Sequence, residues 1–232
     1  MTTANRKTSR SHDTAESSHW VDLLFPAHGA AIPRWHGHAV YQAIANQGIS
    51  LGQVHGIGVF PIRGDRAEAG TLLLRDDSVL RIRLPAGAIP LLLPLTNRRL
   101  EVGGHRLRLG TPHIAALVPG PILGSPVVLM DAPDPVEEAD PTPDRFLGAA
   151  RKQLAEMGVR AELSLRRIPS GSHAGQVWRR TVWIEDRQRR GFAMLVRGLS
   201  HTDSLCLQTQ GLGSARHLGC GLFLSVRQTS NS

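Results

Sequence analysis

A chain of 232 residues, 41% hydrophobic and 20% charged, has enough apolar material for a folded core, which excludes a wholly disordered protein. Its longest apolar stretch, residues 84–95, is broken by Pro85, Pro90 and Pro94 and falls short of the roughly 20 residues that a membrane-spanning helix needs. The formal charge of +8 is unevenly placed: residues 1–139 hold 13 Lys and Arg against 12 Asp and Glu, while residues 140–232 hold 14 against 7, so a basic surface is expected in the second half.

Residues 1–18 are polar and lack the apolar run of a secretory signal, so they read as a flexible tail on a cytoplasmic protein with no membrane partner. Residues 20–25 suit a strand. Pro33 then introduces a helix over 36–47, in which Ala39, Val40, Ala43 and Ile44 recur at helical spacing. Short strands are expected at 56–62, 71–74 and 79–84. The last alternates Leu80, Ile82 and Leu84 against Arg81 and Arg83, the pattern of a half-buried strand. A short helix over 88–95 and strands at 107–109 and 115–118 follow. Proline and glycine over 119–126 mark a boundary near Gly120.

The second half is expected to open with the strand 127–130. A loop over 131–143 follows, carrying four prolines and several acids. The helix 144–157 puts Phe146, Leu147, Ala150, Leu154 and Met157 on one side, with Thr142 or Asp144 as its cap. Strands at 159–168, 177–184 and 191–196 precede a helix at 202–208, a glycine-rich loop at 211–221 and a closing strand at 222–226. Taking the two middle strands as one hairpin yields the order strand, helix, strand, strand, helix, strand, the ferredoxin-like pattern. The first half follows it more loosely. The expected architecture is therefore α+β: two tandem ferredoxin-like (RRM-like) domains, residues 19–120 and 121–232, behind a tail of 18 residues.

Cys206 and Cys220 fit neither a zinc motif nor a disulfide framework and are expected as buried reduced thiols. Lysine occurs only at Lys7 and Lys152. Arginine's planar fork can hold a phosphate with two hydrogen bonds and can stack on a base, which leans toward a nucleic acid. A GC-rich genome accounts equally well for the bias, but not for the asymmetry between halves. Candidate contacts are Arg166 and Arg167 at one strand end, Arg179 and Arg180 within the next strand, and Arg187, Arg189 and Arg190 in the following turn. Neighbours on a strand point to opposite faces, so only one of Arg179 and Arg180 can face the ligand. The turn cluster reads equally as a solubilising basic hairpin.

The loop Gly-Leu-Gly-Ser-Ala-Arg-His-Leu-Gly-Cys-Gly-Leu-Phe, residues 211–223, can aim backbone amides at a phosphate, although a plain connecting turn explains glycines as well. It is neither a Walker A loop nor a dinucleotide fingerprint, because it runs from a helix into a strand. Its Gly211, Gly213, Arg216, Gly219, Cys220, Gly221 and Phe223 resemble the C-terminal signature of the repeat-associated (RAMP) superfamily of CRISPR proteins. Within that superfamily the chain is similar to the sixth Cas family, the endoribonucleases of crRNA maturation. The phrases Val21-Asp22-Leu23-Leu24-Phe25-Pro26, Ile32-Pro33, His36 through Ile44 and Ser78 through Pro85 agree. They resemble the subgroup first named for myxobacterial type I systems (type I-MYXAN), except that Trp35 stands where that subgroup often has an acid.

The resemblance implies two ferredoxin-like domains, binding of CRISPR repeat RNA, and cleavage without metal or cofactor to 2′,3′-cyclic phosphate and 5′-hydroxyl ends. It also implies partnership with other Cas proteins of a type I effector complex. Gly211, Gly213, Gly219 and Gly221, with Arg216 and His217, would then meet RNA phosphates.

Such cleavage needs a base, an acid and positive charge at the phosphate. Among 11 histidines, His36 is the expected catalytic residue: at a helix start the dipole favours a neutral ring and attracts phosphate. His38 and His28 are auxiliary candidates. Tyr41 lies about 140° around the helix from His36 and reads as structural. A metal held by His36 and His38 is disfavoured, because helix positions two apart do not face each other. The alternatives are a non-catalytic RAMP subunit that holds crRNA, and a DNA-binding regulator, for which no helix-turn-helix pattern exists.

Overall fold

The computed structural model describes residues 19–67, 70–131, 140–184 and 187–226; the expected tail lies outside the described residues. Alternation along β1 (Trp20–His28) sends Leu23, Phe25 and Ala27 to one face. After β2 (Ala31–Pro33) comes α1 (Gly37–Ala45), whose Val40, Ala43 and Ile44 are buried. Nine residues make too short a helix to persist alone. Its apolar stripe holds it, because each large aliphatic side chain buried contributes about 1.5–3 kcal/mol. The strands β3 (Gly58–Val59), β4 (Asp65–Arg66), β5 (Thr71–Leu73) and β6 (Val79–Pro85) follow. Then come the short α2 (Ile89–Leu92) and the strands β7 (Arg99–Val102), β8 (His105–Leu109) and β9 (His113–Ala116).

One sheet runs β3-β6-β1-β8-β7, with β9 also on β1, while β2, β5 and β4 form a small separate sheet. Strand β6 lies antiparallel to β1 with Asp22 opposite Arg83 and Leu24 opposite Arg81. Leu80, Ile82 and Leu84 join the core beneath α1, as the alternation implies. The arginine face does not meet solvent: Arg83 is completely buried, because the second half of the chain covers it.

The second sheet begins earlier than expected, with β10 (Ile122–Val128) running through the proline- and glycine-rich stretch. Gly124 leaves room for the side chains of Val226 and Leu195, and Pro126 sits where the register shifts between Ser125 and Val128, a position that tolerates a missing N–H. Helix α3 (Pro143–Glu156), β11 (Glu162–Leu165), β12 (Arg179–Ile184), β13 (Arg187–Arg197), α4 (His201–Gln210) and β14 (Leu224–Ser225) complete the fold. The sheet order is β11-β13-β10-β14, with β12 on the first half of β13. Arg187, Arg189 and Arg190, expected in a turn, belong to β13 opposite Ile184, Val182 and Thr181. No apolar alternation marks the run Arg187-Gln188-Arg189-Arg190; backbone pairing with β12 makes it a strand.

Both halves therefore show the ferredoxin-like order, the first with an added β7–β8 hairpin and the second with an added β12. Each sheet carries its helices on one face, and strands of both sheets line the cleft between the halves. Of the two thiols, Cys220 is buried, which pushes its pKa up to about 12, and Cys206 is half-buried. Among the described residues no helix is long and apolar enough to cross a membrane.

Candidate active site and nucleic-acid interface

The larger concavity is the cleft of about 660 Å³ between the halves. Among the described residues, Arg34, Arg63, Arg66, Arg75, Arg81, Arg166 and Arg180 line it together with His36, His38 and one acid, Asp77. Arg75 is paired with Asp65 and Asp77, and Arg81 with Asp22. Among the described residues no carboxylate pairs with Arg34, Arg66, Arg166 or Arg180. Arg180 lies over the Trp178 ring, 4.2 Å from its centroid, and its buried Nε has no partner. Burial, then the charges of Arg66, Arg34 and Arg166, push its pKa down to about 10, so it stays protonated at neutral pH among like charges. An anion entering the cleft relieves that repulsion. Trp35 and Trp183, 44% and 50% exposed, offer flat rings on which bases can stack.

Strand alternation separates the adjacent pair. Arg180 turns into the cleft, whereas Arg179 reaches Asp140 at 2.8 Å, and the same carboxylate takes Arg190 at 2.8 Å. Arg189 donates to the Met130 carbonyl and to Asp131, Arg167 donates to the Gly175 carbonyl, and Arg187 is exposed. Of the seven arginines expected on this surface, the cleft gathers Arg166 and Arg180. The other five cleft arginines come from the first half, whose near-zero net charge concealed them: charge counting along a chain cannot see that the fold sorts cations from acids.

His36 does not have the free nitrogen that a base requires. Its ring is 4% exposed, Nδ1 donates to the Pro33 carbonyl at 2.9 Å, and Nε2 accepts the Ile62 N–H at 2.9 Å. Burial lowers its pKa, which favours the neutral ring. That ring ties the entry of α1 to the segment between β3 and β4 at Ile62, and both its proton and its lone pair are already used. His28, exposed at the end of β1, lines neither concavity, and half-buried His38 lines the cleft.

The glycine loop likewise spends its amides internally. Gly211 donates to Leu207, Gly213 to the Gln153 side chain, Gly219 to Arg216 and Gly221 to Val127, which leaves none of these four N–H groups for a phosphate. Gly213 and Gly221 adopt φ of 76° and 64°, and a Cβ at either would strike the carbonyl of Leu129 or of Leu212. The glycines thus fold the loop tightly, and its side chains make the surface.

That surface is one wall of a second hollow, about 390 Å³, lined by residues 213–217 and, on the opposite wall, by Tyr41, Gly52 and residues 54–57. His217 is exposed and meets Tyr41 edge-on at 5.1 Å between ring centroids. Burial, then the nearby His38, lower the His217 pKa, so the ring is neutral at pH 7. Arg216 donates Nη1 to the Gln210 carbonyl, while Nε and Nη2 are buried without partners. Burial and the charge of Arg83 bring its pKa down to about 10. His55 stands exposed on the other wall. Two imidazoles, a phenol and a guanidinium therefore share one small space. No local pattern links position 55 to position 217 or to Tyr41; only the fold brings them to one hollow. Among the described residues no group of three or more His, Cys, Asp or Glu is placed to hold a metal ion.

The family model for Cas6 (Cas6 Crispr) matches residues 21–228. The CRISPR-associated endonuclease Cas6 of Myxococcus xanthus (strain DK1622) is 37% identical over 205 residues, 88% of this chain and 81% of that protein. A solved RAMP protein described as binding different RNA substrates matches with a TM-score of 0.65 at 15% identity, covering 90% of this chain and 100% of that one. A Cas6-related protein from Pyrococcus furiosus matches at 0.61 and 12% identity, with coverages of 90% and 100%. At such identities the solved structures show a shared fold.

Proposed function

The chain belongs to the Cas6 family, and from that premise we propose that it is an endoribonuclease that cuts CRISPR repeat transcripts into guide RNAs without a metal, through attack by a ribose 2′-hydroxyl. The observation that carries this reading is the small hollow in which His55, Tyr41, Arg216 and His217 converge from distant parts of the chain. In-line attack needs a base for the 2′-hydroxyl proton, an acid for the departing 5′-oxygen and positive charge for the phosphorane-like transition state. His217, neutral at pH 7, suits the base. His55 across the hollow serves as the acid, Tyr41 steadies the His217 ring by its edge contact, and the guanidinium of Arg216, which lines the hollow, supplies positive charge beside the phosphate. The 2′-oxygen–phosphorus bond forms as the phosphorus–5′-oxygen bond breaks, leaving a 2′,3′-cyclic phosphate and a 5′-hydroxyl. The arginines of the cleft, foremost Arg34, Arg66, Arg166 and Arg180, hold the flanking strand.

The test is single-turnover cleavage of repeat RNA in excess EDTA. Wild-type protein should cut, and a 2′-deoxy substitution at the scissile nucleotide should block the cut. RNA that is bound and never cut would leave the chain a passive holder of crRNA among other Cas proteins. Undiminished cutting by both His55→Ala and His217→Ala would remove the hollow from its role.

A further inference from the structure

We infer that Arg83 is a positioning residue for the cleavage centre: one guanidinium grips Asp22 and both ends of the glycine loop, and so holds Arg216 and His217 opposite Tyr41 and His55. The inference rests on the function proposed above. Arg83 stands on β6 directly opposite Asp22 on β1. Its Nε and Nη2 donate to the two carboxylate oxygens at 2.7 and 3.0 Å, the parallel fork that fixes a guanidinium in one orientation. The remaining nitrogen crosses to the other half, where Nη1 donates to the Gln208 carbonyl at 3.1 Å and to the Phe223 carbonyl at 2.8 Å. Gln208 lies in the last turn of α4, just before Gly211, and Phe223 lies just after Gly221, so these two carbonyls flank the loop. The Phe60 ring closes over the guanidinium at 4.9 Å.

A fully buried arginine is costly, and an apolar residue of similar size would pack the same space more cheaply. What the apolar residue cannot do is satisfy a carboxylate and two carbonyls on three separate segments at once. The need for such a tie follows from where the hollow lies: Tyr41 and His55 belong to the first half, Arg216 and His217 to the second, and no covalent path shorter than 160 residues joins His55 to Arg216. Two further contacts seat the loop on the first half. Gly37 leaves room for the Leu218 carbonyl, and Gly58 for the Leu222 side chain. Arg83 alone among these binds both loop ends, and its charge also reaches Arg216.

The test is Arg83→Lys, which keeps the charge and loses the fork. A misplacement on the order of 1 Å costs about 100-fold in rate, so cleavage at saturating RNA should fall about 10- to 100-fold while affinity for a 2′-deoxy repeat changes less than about threefold. Amide hydrogen exchange should quicken over residues 209–222 and stay unchanged in α3 and β13. In a His217→Ala background the substitution should add no further loss of cleavage. A folded variant that cuts at the wild-type rate, or loses rate and affinity equally, or exchanges faster throughout, overturns the inference. If the lysine variant does not fold, the neutral pair Asp22→Asn with Arg83→Gln is read by the same criteria. Wild-type protein that does not cut sinks the proposed function instead, and the exchange comparison then decides whether Arg83 holds the loop.

Discussion

Among the described residues the large cleft carries seven arginines, the imidazoles of His36 and His38 and one aspartate, whereas the small hollow carries two imidazoles, a phenol and one guanidinium. A guanidinium stays charged across the physiological range and so can attract and hold a phosphate strand, but it cannot take up a proton and release it. An imidazole can do both near neutrality. On the function proposed above, gripping falls to the arginines of the cleft and cutting to the hollow, and variants in one concavity should leave the other's task intact.

The largest expected effect tests that separation. His55→Ala and His217→Ala should each slow single-turnover cleavage by about 10²- to 10⁴-fold with RNA affinity nearly unchanged, as gel-shift titration would read. Equal losses of rate and affinity would merge the two concavities into one function. Next is Asp22→Asn, which leaves Arg83 buried beside a neutral amide. Denaturant unfolding should show a loss of about 3–5 kcal/mol, reported from beneath both concavities at once.

His36→Ala follows. It orphans the Ile62 N–H and should lower stability by about 1–3 kcal/mol, while the protein that remains folded cuts within a few-fold of the wild-type rate. Near-total loss of cutting by that variant, in folded form, would return His36 to the chemistry. The acid side of the stability curve reports on the same ring. Because burial lowers the His36 pKa, the unfolded chain takes up the proton first as pH falls below about 6.5. Stability present above that pH should drain away on acidification, and His36→Ala should flatten the slope.

The smallest effect belongs to the cleft. Arg180→Ala should weaken RNA binding and reduce the slope of log affinity against log salt by about one, with the rate at saturation unaltered. Relief of repulsion from Arg34, Arg66 and Arg166 should leave the unliganded protein no less stable.

Periodicity made much of the fold legible. The stripe of Val40, Ala43 and Ile44 and the alternation of Leu80, Ile82 and Leu84 each mark a face that must be buried, and burial of those faces dictates helix and strand. The strand expected at 191–196 begins four residues earlier, at Arg187, because its first residues are paired through backbone and carry no apolar signal. The start of β10 escaped because Gly124 and Pro126, read as breakers, suit a close approach and a register shift.

By itself the sequence determined which segments hide apolar faces, that arginine supplies nearly all the cationic charge, and that residues 211–221 carry the glycines a tight bend needs. Only the tertiary structure decided which histidine rings are buried and hydrogen-bonded and which stand open to solvent. His36 and His55 are alike as residues, and their difference is burial and partnership: the fold spends both nitrogens of one ring on Pro33 and Ile62 and leaves the other exposed on the wall of the hollow that His217 also lines. Burial and partnership are made by residues far apart in the chain, so local pattern cannot report them.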